Sequence, residues 1–307
     1  MDFTNIADEV AAQEPVQVVS IPVVPGRVVD IDGDVLAYEH GANKEHTAEE
    51  AWASLMDRVR FIQAMAGAES HLVHLTCRGS TKGQRVLVAN TQPYQDHRKG
   101  GNKPLHWETL RLRLENYAKG GELNVSTWTD READDGLALA ATAGRGRRVI
   151  ATCDKDLRMV PGLHLVWDTL EVIEVTEEYD QPLHNGKVYG PRWFYLQLLQ
   201  GDKADHIPGV GPIPGVAARG VGDKTALKLL ADARTETEAA QRVRMLYHKA
   251  HGERHGDERL VEQAALLWMR RTARAPLWEF LKHWPDEAAL EHLAVAIVVI
   301  LLTHYAG

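Results

Sequence analysis

A mostly parallel α/β sheet followed by a helical region is the fold class this 307-residue sequence predicts, and three observations carry it. Short β-branched runs alternate with helix-length stretches between residues 27 and 168, acids stand where those runs end, and from about residue 192 onward the chain reads as helical.

The elements follow in order. Residues 1–26, with Pro15, Pro22 and Pro25, read as a loose tail or edge segment. "RVVDID" (27–32) is a first strand, "HTAEEAWASLMDRVRFIQAMAG" (46–67) has helical periodicity and stops at Gly67, and "HLVHLT" (71–76) is a second strand. After "RVLVAN" comes a polar, basic segment holding Arg98, Lys99, Lys103, Arg111 and Arg113. "ELNVSTW" (122–128) is a third strand, "READDGLALAATAG" (131–144) opens an Ala/Leu helix, and "RRVIAT" (147–152) and "LHLVWD" (163–168) are further strands. Strands alternating with helices predict a mostly parallel sheet covered on both faces. "GVGPIPGVAARGVGDKTALKLL" (209–230) is a Gly/Pro-rich turn leading into a helix. "LAVAIVVILL" (293–302) is half the length of a membrane span and reads as a buried C-terminal helix. This divides the chain into a tail (1–26), an α/β core (27–191) and a helical region (192–307).

A hydrophobic content of 44% with 25% charged residues is that of an ordinary soluble domain, which excludes fibrous and disordered classes. Cys77 and Cys153 have no zinc-ligand spacing, and "MDFTNIADEVAAQEP" shows no secretory signal, so a reduced, cytoplasmic protein is expected. The formal net charge of −8 argues superficially against nucleic acid. Eight acids at strand ends account for it, however, and leave the rest of the chain balanced.

Those acids are Asp32, Glu132, Asp134, Asp135, Asp154, Asp156, Asp202 and Asp205. Each has a plain reading. Thr129-Asp130-Arg131-Glu132 fits a capping box, Asp32-Gly33 is a turn, Asp154-Lys155-Asp156 a solvated loop, and Asp202 a helix cap. A cap needs one or two acids rather than the four between Asp130 and Asp135, and in parallel sheets ligands bind outside the carboxyl ends of the strands. Gathered carboxylates raise one another's pKa, so a divalent cation is expected among them. Oxygen-only donors select Mg²⁺ or Mn²⁺ over Zn²⁺. Two such ions about 4 Å apart suit in-line attack on a phosphodiester.

Five segments, "DGDVLAY", "EADDGLALAA", "IATCDKDLRMV", "LLQGDKADHIPGV" and "GVGDKTALKLL", stand in an order and at intervals that resemble the 5′ to 3′ exonuclease and flap endonuclease family, the phage stand-alone form most closely. The resemblance spans about residues 27–230. It implies a PIN-like nuclease core with a helical arch at about 90–120 and a helical C-terminal region containing a helix-three-turn-helix. It further implies that Asp32, Glu132 and Asp134 surround a first metal and Asp156, Asp202 and Asp205 a second, with Asp135 and Asp154 nearby. Gly220, Gly222, Lys224, Thr225 and Lys228 would hold a duplex phosphate, with K⁺ as a monovalent companion. Tyr94, Arg98 and Lys99 would serve catalysis, and Lys103 and Arg111 the DNA strand, with Tyr94 available to stack on a base. The implied substrate is DNA with a 5′ end or flap, including RNA-primed DNA. A monomer with no membrane association is expected.

Two departures stand out. Cys77 occupies the end of the second strand, where the family places a further acid, and Gln95 stands where its arch motif has Lys, leaving His97 or Lys99 as substitutes. A stretch near "GPIPGVAAR" reads as an insertion in the duplex-binding loop. Competing readings are a PIN-like RNase and a structure-specific DNA-binding protein with weakened catalysis.

Overall fold

The computed structural model describes residues 21–96, 101–117 and 123–305. Its centre is a six-stranded sheet in the order β3-β2-β1-β4-β5-β6. The strands are β1 (Val24–Asp32), β2 (Ala68–Thr76), β3 (Val125–Trp128), β4 (Arg148–Thr152), β5 (Gly162–Val166) and β6 (Val172–Val175). The first five run parallel and β6 is antiparallel to β5. β1 already begins at Val24, inside the stretch expected to be tail, and β6 has no counterpart among the expected strands.

Alternation along the strands sorts the two faces. Val29, Ile31, Val73, Leu75, Val149 and Ala151 pack on one side against α1 (Gly33–His40), α2 (Ala48–Met65) and α3 (Trp107–Tyr117). Helix α2 begins with a complete capping box, in which Thr47 and Glu50 satisfy each other's backbone N–H groups. Helix α3 lies in the segment expected to form an arch, yet Leu110 and Leu114 are buried in this core. Residues 97–100 and 118–122 lie outside the described residues.

The opposite face carries a polar ladder. Arg148 Nε donates to Asp30 at 2.7 Å, Asp30 faces His74 Nε2 at 2.7 Å, and Trp128 Nε1 donates to His74 Nδ1 at 3.0 Å. Four strands are thereby tied side to side beneath α4 (Ala133–Ala143). Gly136 rests on the Trp128 indole, where any Cβ would collide, so the helix sits close to the sheet.

Leu137, Ala138, Ala141 and Ile150 continue without a break into the core of the C-terminal helices. These are α5 (Pro191–Gln200), α6 (Asp223–Leu229), α7 (Glu236–His251), α8 (Glu253–Leu267) and α9 (Glu287–Tyr305). The region is not wholly α-helical. Between α8 and α9 the chain is irregular apart from a 3-10 turn at Glu279–His283. The expected burial of α9 holds for one face, with Leu293, Ala296, Ile297 and Ile300 inside, whereas Val295, Val298, Leu301 and Leu302 are exposed. Among the described residues no helix is long and apolar enough to cross a membrane.

Candidate metal centre

The strand order reverses direction between β1 and β4, and at their carboxyl ends stand Asp32 and Asp154. Asp32 caps α1, accepting from Asp34 N at 3.0 Å and Val35 N at 3.1 Å, while its other oxygen accepts from Thr152 Oγ1 at 3.0 Å. Asp154 caps a 3-10 turn, Lys155–Met159, accepting from Asp156 N at 2.9 Å. Asp202 caps another, Lys203–Asp205, accepting from Ala204 N at 2.9 Å. Each acid is thus fixed by a local turn that aims its second oxygen or its neighbours into the cleft.

The turn bearing Asp202 requires glycine. Gly201 has φ +73, and a Cβ there would collide with the Ile207 carbonyl and lie 2.5 Å from Gly209 N. This close approach lets Asp202 and Ile207 exchange backbone hydrogen bonds of 2.7 and 2.8 Å, which returns Asp205 to the cleft.

Asp156, Asp202 and Asp205 each bring a carboxylate oxygen within 4.8 Å of the other two. Lys155 Nζ lies 3.0 Å from Asp156 and 2.6 Å from Asp202, and Gln197 Nε2 donates to Asp156 at 2.5 Å. Burial, then the Asp154 carboxylate, push Asp156 well above the ordinary carboxylate range. Burial would raise Asp202 too, but the Lys155 ammonium outweighs it and holds Asp202 low.

The Glu132 side differs. Helix α4 starts at Ala133 with Glu132 as its cap residue, and no side-chain cap bond forms, so the capping box expected at 129–132 is absent. Glu132 instead accepts from Tyr94 Oη at 2.8 Å, Gln95 Nε2 at 3.1 Å and Arg85 Nη1 at 3.1 Å. Arg85 is fully buried and clasps Asp135 through both nitrogens at 2.8 and 2.9 Å. It also donates to the carbonyls of Leu266 and Trp268, at 3.0 Å each. Asp135 further accepts from Arg270 N at 2.9 Å. Expected as a metal-site acid, it is committed to a buried ion pair instead.

Asp134 lies between the two halves. Burial, with Asp135 and Glu132, raises it well above its ordinary range, and Asp154 adds to the effect. Burial, then Asp34 and Asp154, push Asp32 to about 7. The Asp205 charge reaches both Glu132 and Asp154. Electrostatic coupling therefore links the predicted acids into one network, within which Asp156, Asp202 and Asp205 form the close cluster.

Several other expectations change. Tyr94 is buried at 7% exposure, and its hydroxyl also lies 3.2 Å from Asp205, so its ring is not offered to a base. Arg111 is buried at 8% exposure in an ion pair with Asp34, donates to the Thr76 carbonyl and stacks near Trp107, so it has no free face for a DNA strand. Arg98, Lys99 and His97 lie outside the described residues. Lys103 is exposed, with Nζ 4.9 Å from the Trp107 ring. Lys224 and Lys228 are exposed on α6, Thr225 is half-buried, and Gly222 precedes that helix with open space around it. Gly220 has φ +92, a conformation suited to glycine. Cys77 is half-buried just beyond β2, its N–H bonded to the Trp128 carbonyl at 2.9 Å. Sequence reasoning passed over Asp34, Lys82, Arg85 and Lys155. The second Asp of "DGD" and the cations of "STKGQR" and "DKD" were the available signals.

A mostly parallel sheet with acids at its switch point, followed by a helical C-terminal region, is a fold shared with solved structures. Structures from bacteriophage T5 are among the matches. Its 5′-exonuclease with bound zinc aligns at a TM-score of 0.56 and 14% identity, over 90% of this chain and 99% of that one. Its flap endonuclease, in a pseudo-enzyme-product complex with DNA and metal ions, aligns at 0.54 and 15%, with the same coverage. Identity this low makes the likeness one of fold. No protein-family model and no curated protein matches the sequence.

Proposed function

We propose that the chain is a divalent-metal-dependent 5′ nuclease that hydrolyses phosphodiesters in duplex or flapped DNA. The carrying observation is the convergence of Asp156, Asp202 and Asp205 oxygens within 4.8 Å at the carboxyl end of a parallel sheet. The T5 structures, one with DNA and metal ions, support the reading through their shared fold.

The residues fit a hard cation. All donors are carboxylate oxygens, and Asp32, Asp134, Asp154 and Asp156 are pushed up by burial and mutual repulsion, a penalty that a divalent ion removes. Asp156, Asp202 and Asp205 would hold one ion, and Asp32, Glu132 and Asp134 a second, with Asp154 between them. Such ions, Mg²⁺ or Mn²⁺ by donor type, supply Lewis acidity toward a phosphodiester when bound. The chain's own residues prepare the place. Tyr94 and Gln95 bridge Glu132 to Asp205 through hydrogen bonds of 2.8–3.2 Å, holding the two halves at a fixed separation. Lys155 bonds Asp156 and Asp202 together, and its charge holds Asp202 ionised.

Gly211, Gly215 and Gly222 leave open space around the backbone of the 209–222 loop, which suits approach to a duplex phosphate, with K⁺ as companion and Lys224 and Lys228 adding charge. The protein would act as a monomer in the host cytoplasm on DNA with a free 5′ end, RNA-primed ends included.

Purified protein with 5′-flap, blunt-duplex and RNA-primed substrates, with and without Mg²⁺, tests this. Mg²⁺-dependent release of nucleotides is expected, and Asp156→Ala should abolish it while leaving DNA bound. Retention of more than a few per cent of activity by that variant would overturn the site assignment. DNA binding with no cleavage under any divalent ion would establish the non-catalytic alternative.

A further inference from the structure

At the carboxyl ends of β4 and β5, beside the acid cleft, lies a cavity of about 40 Å³. Its lining includes Cys153 and Asp154 after β4, Trp167 and Asp168 after β5, and the side chains of Arg158 and Tyr189. It opens to solvent, since Cys153 and Asp168 are exposed. The volume holds about three waters at roughly 10–15 Å³ each, which is room for one phosphate group and too little for a nucleobase.

Most polar groups of the lining are neutral or paired. Lys187 Nζ is bonded to Asp168. Burial holds His164 near 4, and its Nε2 bonds the Val160 carbonyl at 2.7 Å, so the imidazole carries no charge. Burial, then Asp32 and Asp154, push the Cys153 thiol up to about 11. Arg158 is the exception. Among the described residues it joins no ion pair, and its guanidinium carbon lies 5.9 Å from the centre of the Tyr189 ring and 5.2 Å from that of Trp193. Contact with rings engages the face of a guanidinium and leaves its in-plane N–H donors free. Two such donors match two oxygens of a phosphate. The Arg158 carbonyl accepts from Gly190 N at 2.8 Å, which fixes its backbone beside Tyr189. Trp167 is braced likewise, with the Arg58 guanidinium carbon 4.5 Å from its ring centre. The opposing charge left in the lining is Asp154, which belongs to the acid cleft, where a divalent ion would offset it.

We propose that this cavity binds a phosphate group and that Arg158 is the residue that receives it. The site adjoins the Asp156, Asp202 and Asp205 cluster without including any of the three, and it goes beyond the nuclease reading because it needs neither metal nor cleavage. Two sources offer the same chemistry: a phosphodiester of a DNA strand lying across the acid cleft, and a free phosphate such as that of a 5′-mononucleotide.

Cys153 lies in the lining and Cys77 does not, so the protein carries its own reporter and reference. Alkylation of both thiols by N-ethylmaleimide is followed in EDTA, with inorganic phosphate, dTMP or a 5′-flap duplex added. Slower modification of Cys153 alone is expected, and Arg158→Met should weaken that protection at least tenfold, with Arg158→Lys, which keeps the charge and loses the planar fork, in between. Protection by phosphate and dTMP identifies a free-phosphate site. Protection by the duplex, with the slope of log K against log salt flattened by about 0.9 in Arg158→Met, identifies a strand phosphate. If Arg158→Met melts lower than the wild type, Arg158→Lys carries the comparison. Equal modification of Cys153 with and without all three ligands, together with a wild-type salt slope in the variants, would overturn the proposal. Absence of Mg²⁺-dependent cleavage by the wild type would overturn the nuclease reading and leave this inference standing, because every arm is read in EDTA.

Discussion

The two halves of the cleft hold carboxylates in opposite ways. On the Glu132 side, each acid meets a partner built into the chain. Asp135 is clasped by Arg85, and Glu132 accepts from Arg85, Tyr94 and Gln95. On the Asp156 side, three carboxylates face one another across 4.8 Å, with one partly exposed lysine among them. The first arrangement ties Asp135 into a structural staple that needs no ligand, since Arg85 also bonds carbonyls at the end of α8 and just beyond it, and leaves Glu132 oriented by its protein donors. The second is incomplete, and incompleteness in a buried acid cluster is what divalent cations satisfy. A carboxylate's role here is set by the cation that reaches it.

The largest expected effect comes from breaking the complete side. Arg85→Met removes a fully buried guanidinium and strands Asp135 without its ion pair. Breaking one partner of a buried pair costs about 3–5 kcal/mol, so this variant should unfold at markedly lower denaturant or fail to accumulate folded. Lys155→Met, the corresponding change on the incomplete side, should shift the urea midpoint far less, because Lys155 is partly exposed. Equal losses would show that the two halves are structurally alike.

Next comes the response to pH and metal. Asp32 titrates at about 7 when folded, against 3.8 in the unfolded chain, because of burial and then Asp34 and Asp154. Between those values the folded state binds more protons than the unfolded one. Stability is therefore greatest below pH 4 for this group and is lost as pH rises toward 7, by up to about 4 kcal/mol. Asp134, Asp154 and Asp156 act in the same direction. His164, buried and held near 4, acts oppositely, favouring the folded state as pH rises through its unfolded value of 6.5. Mg²⁺ should consequently raise the melting temperature more at pH 8 than at pH 5. A response of equal size at both would mean that the acids are not the binding site.

Much of this contrast was readable in the residues, though not all. Asp32, Asp154 and Asp202 announce themselves because each follows a strand or helix and opens a turn, and the alternation of strands with helices placed their ends on one edge of the sheet. Partners distant in sequence were not readable. The capping box at 129–132 fits locally, but Glu132 is drawn instead to Arg85, 47 positions earlier. Arg111 reads as a basic surface residue and is captured by Asp34, 77 positions away. Strand β6, only four residues long, has too little periodicity to be seen, and pairing with β5 creates it. Helix α9 is apolar on every side, so the sequence could not tell its buried face from its exposed one.

The smallest effect concerns a third region, which neither half of the cleft controls. Gly222 has φ −99, an ordinary value for any residue, and a Cβ there would meet nothing within 4 Å. Gly222→Val should therefore leave folding and the melting temperature nearly unchanged, unlike Arg85→Met. If the loop's backbone approaches a duplex phosphate, the isopropyl group stands in its path, and duplex affinity should fall about tenfold, equivalent to about 1.4 kcal/mol. Single-stranded oligonucleotides, which place no second strand against this loop, should bind Gly222→Val as they bind the wild type. Titration of both substrates in EDTA decides it. A loss on duplex alone assigns the loop to duplex binding and the acid cleft to the cleaved strand, whereas equal affinity for duplex in variant and wild type would remove the loop from the DNA path.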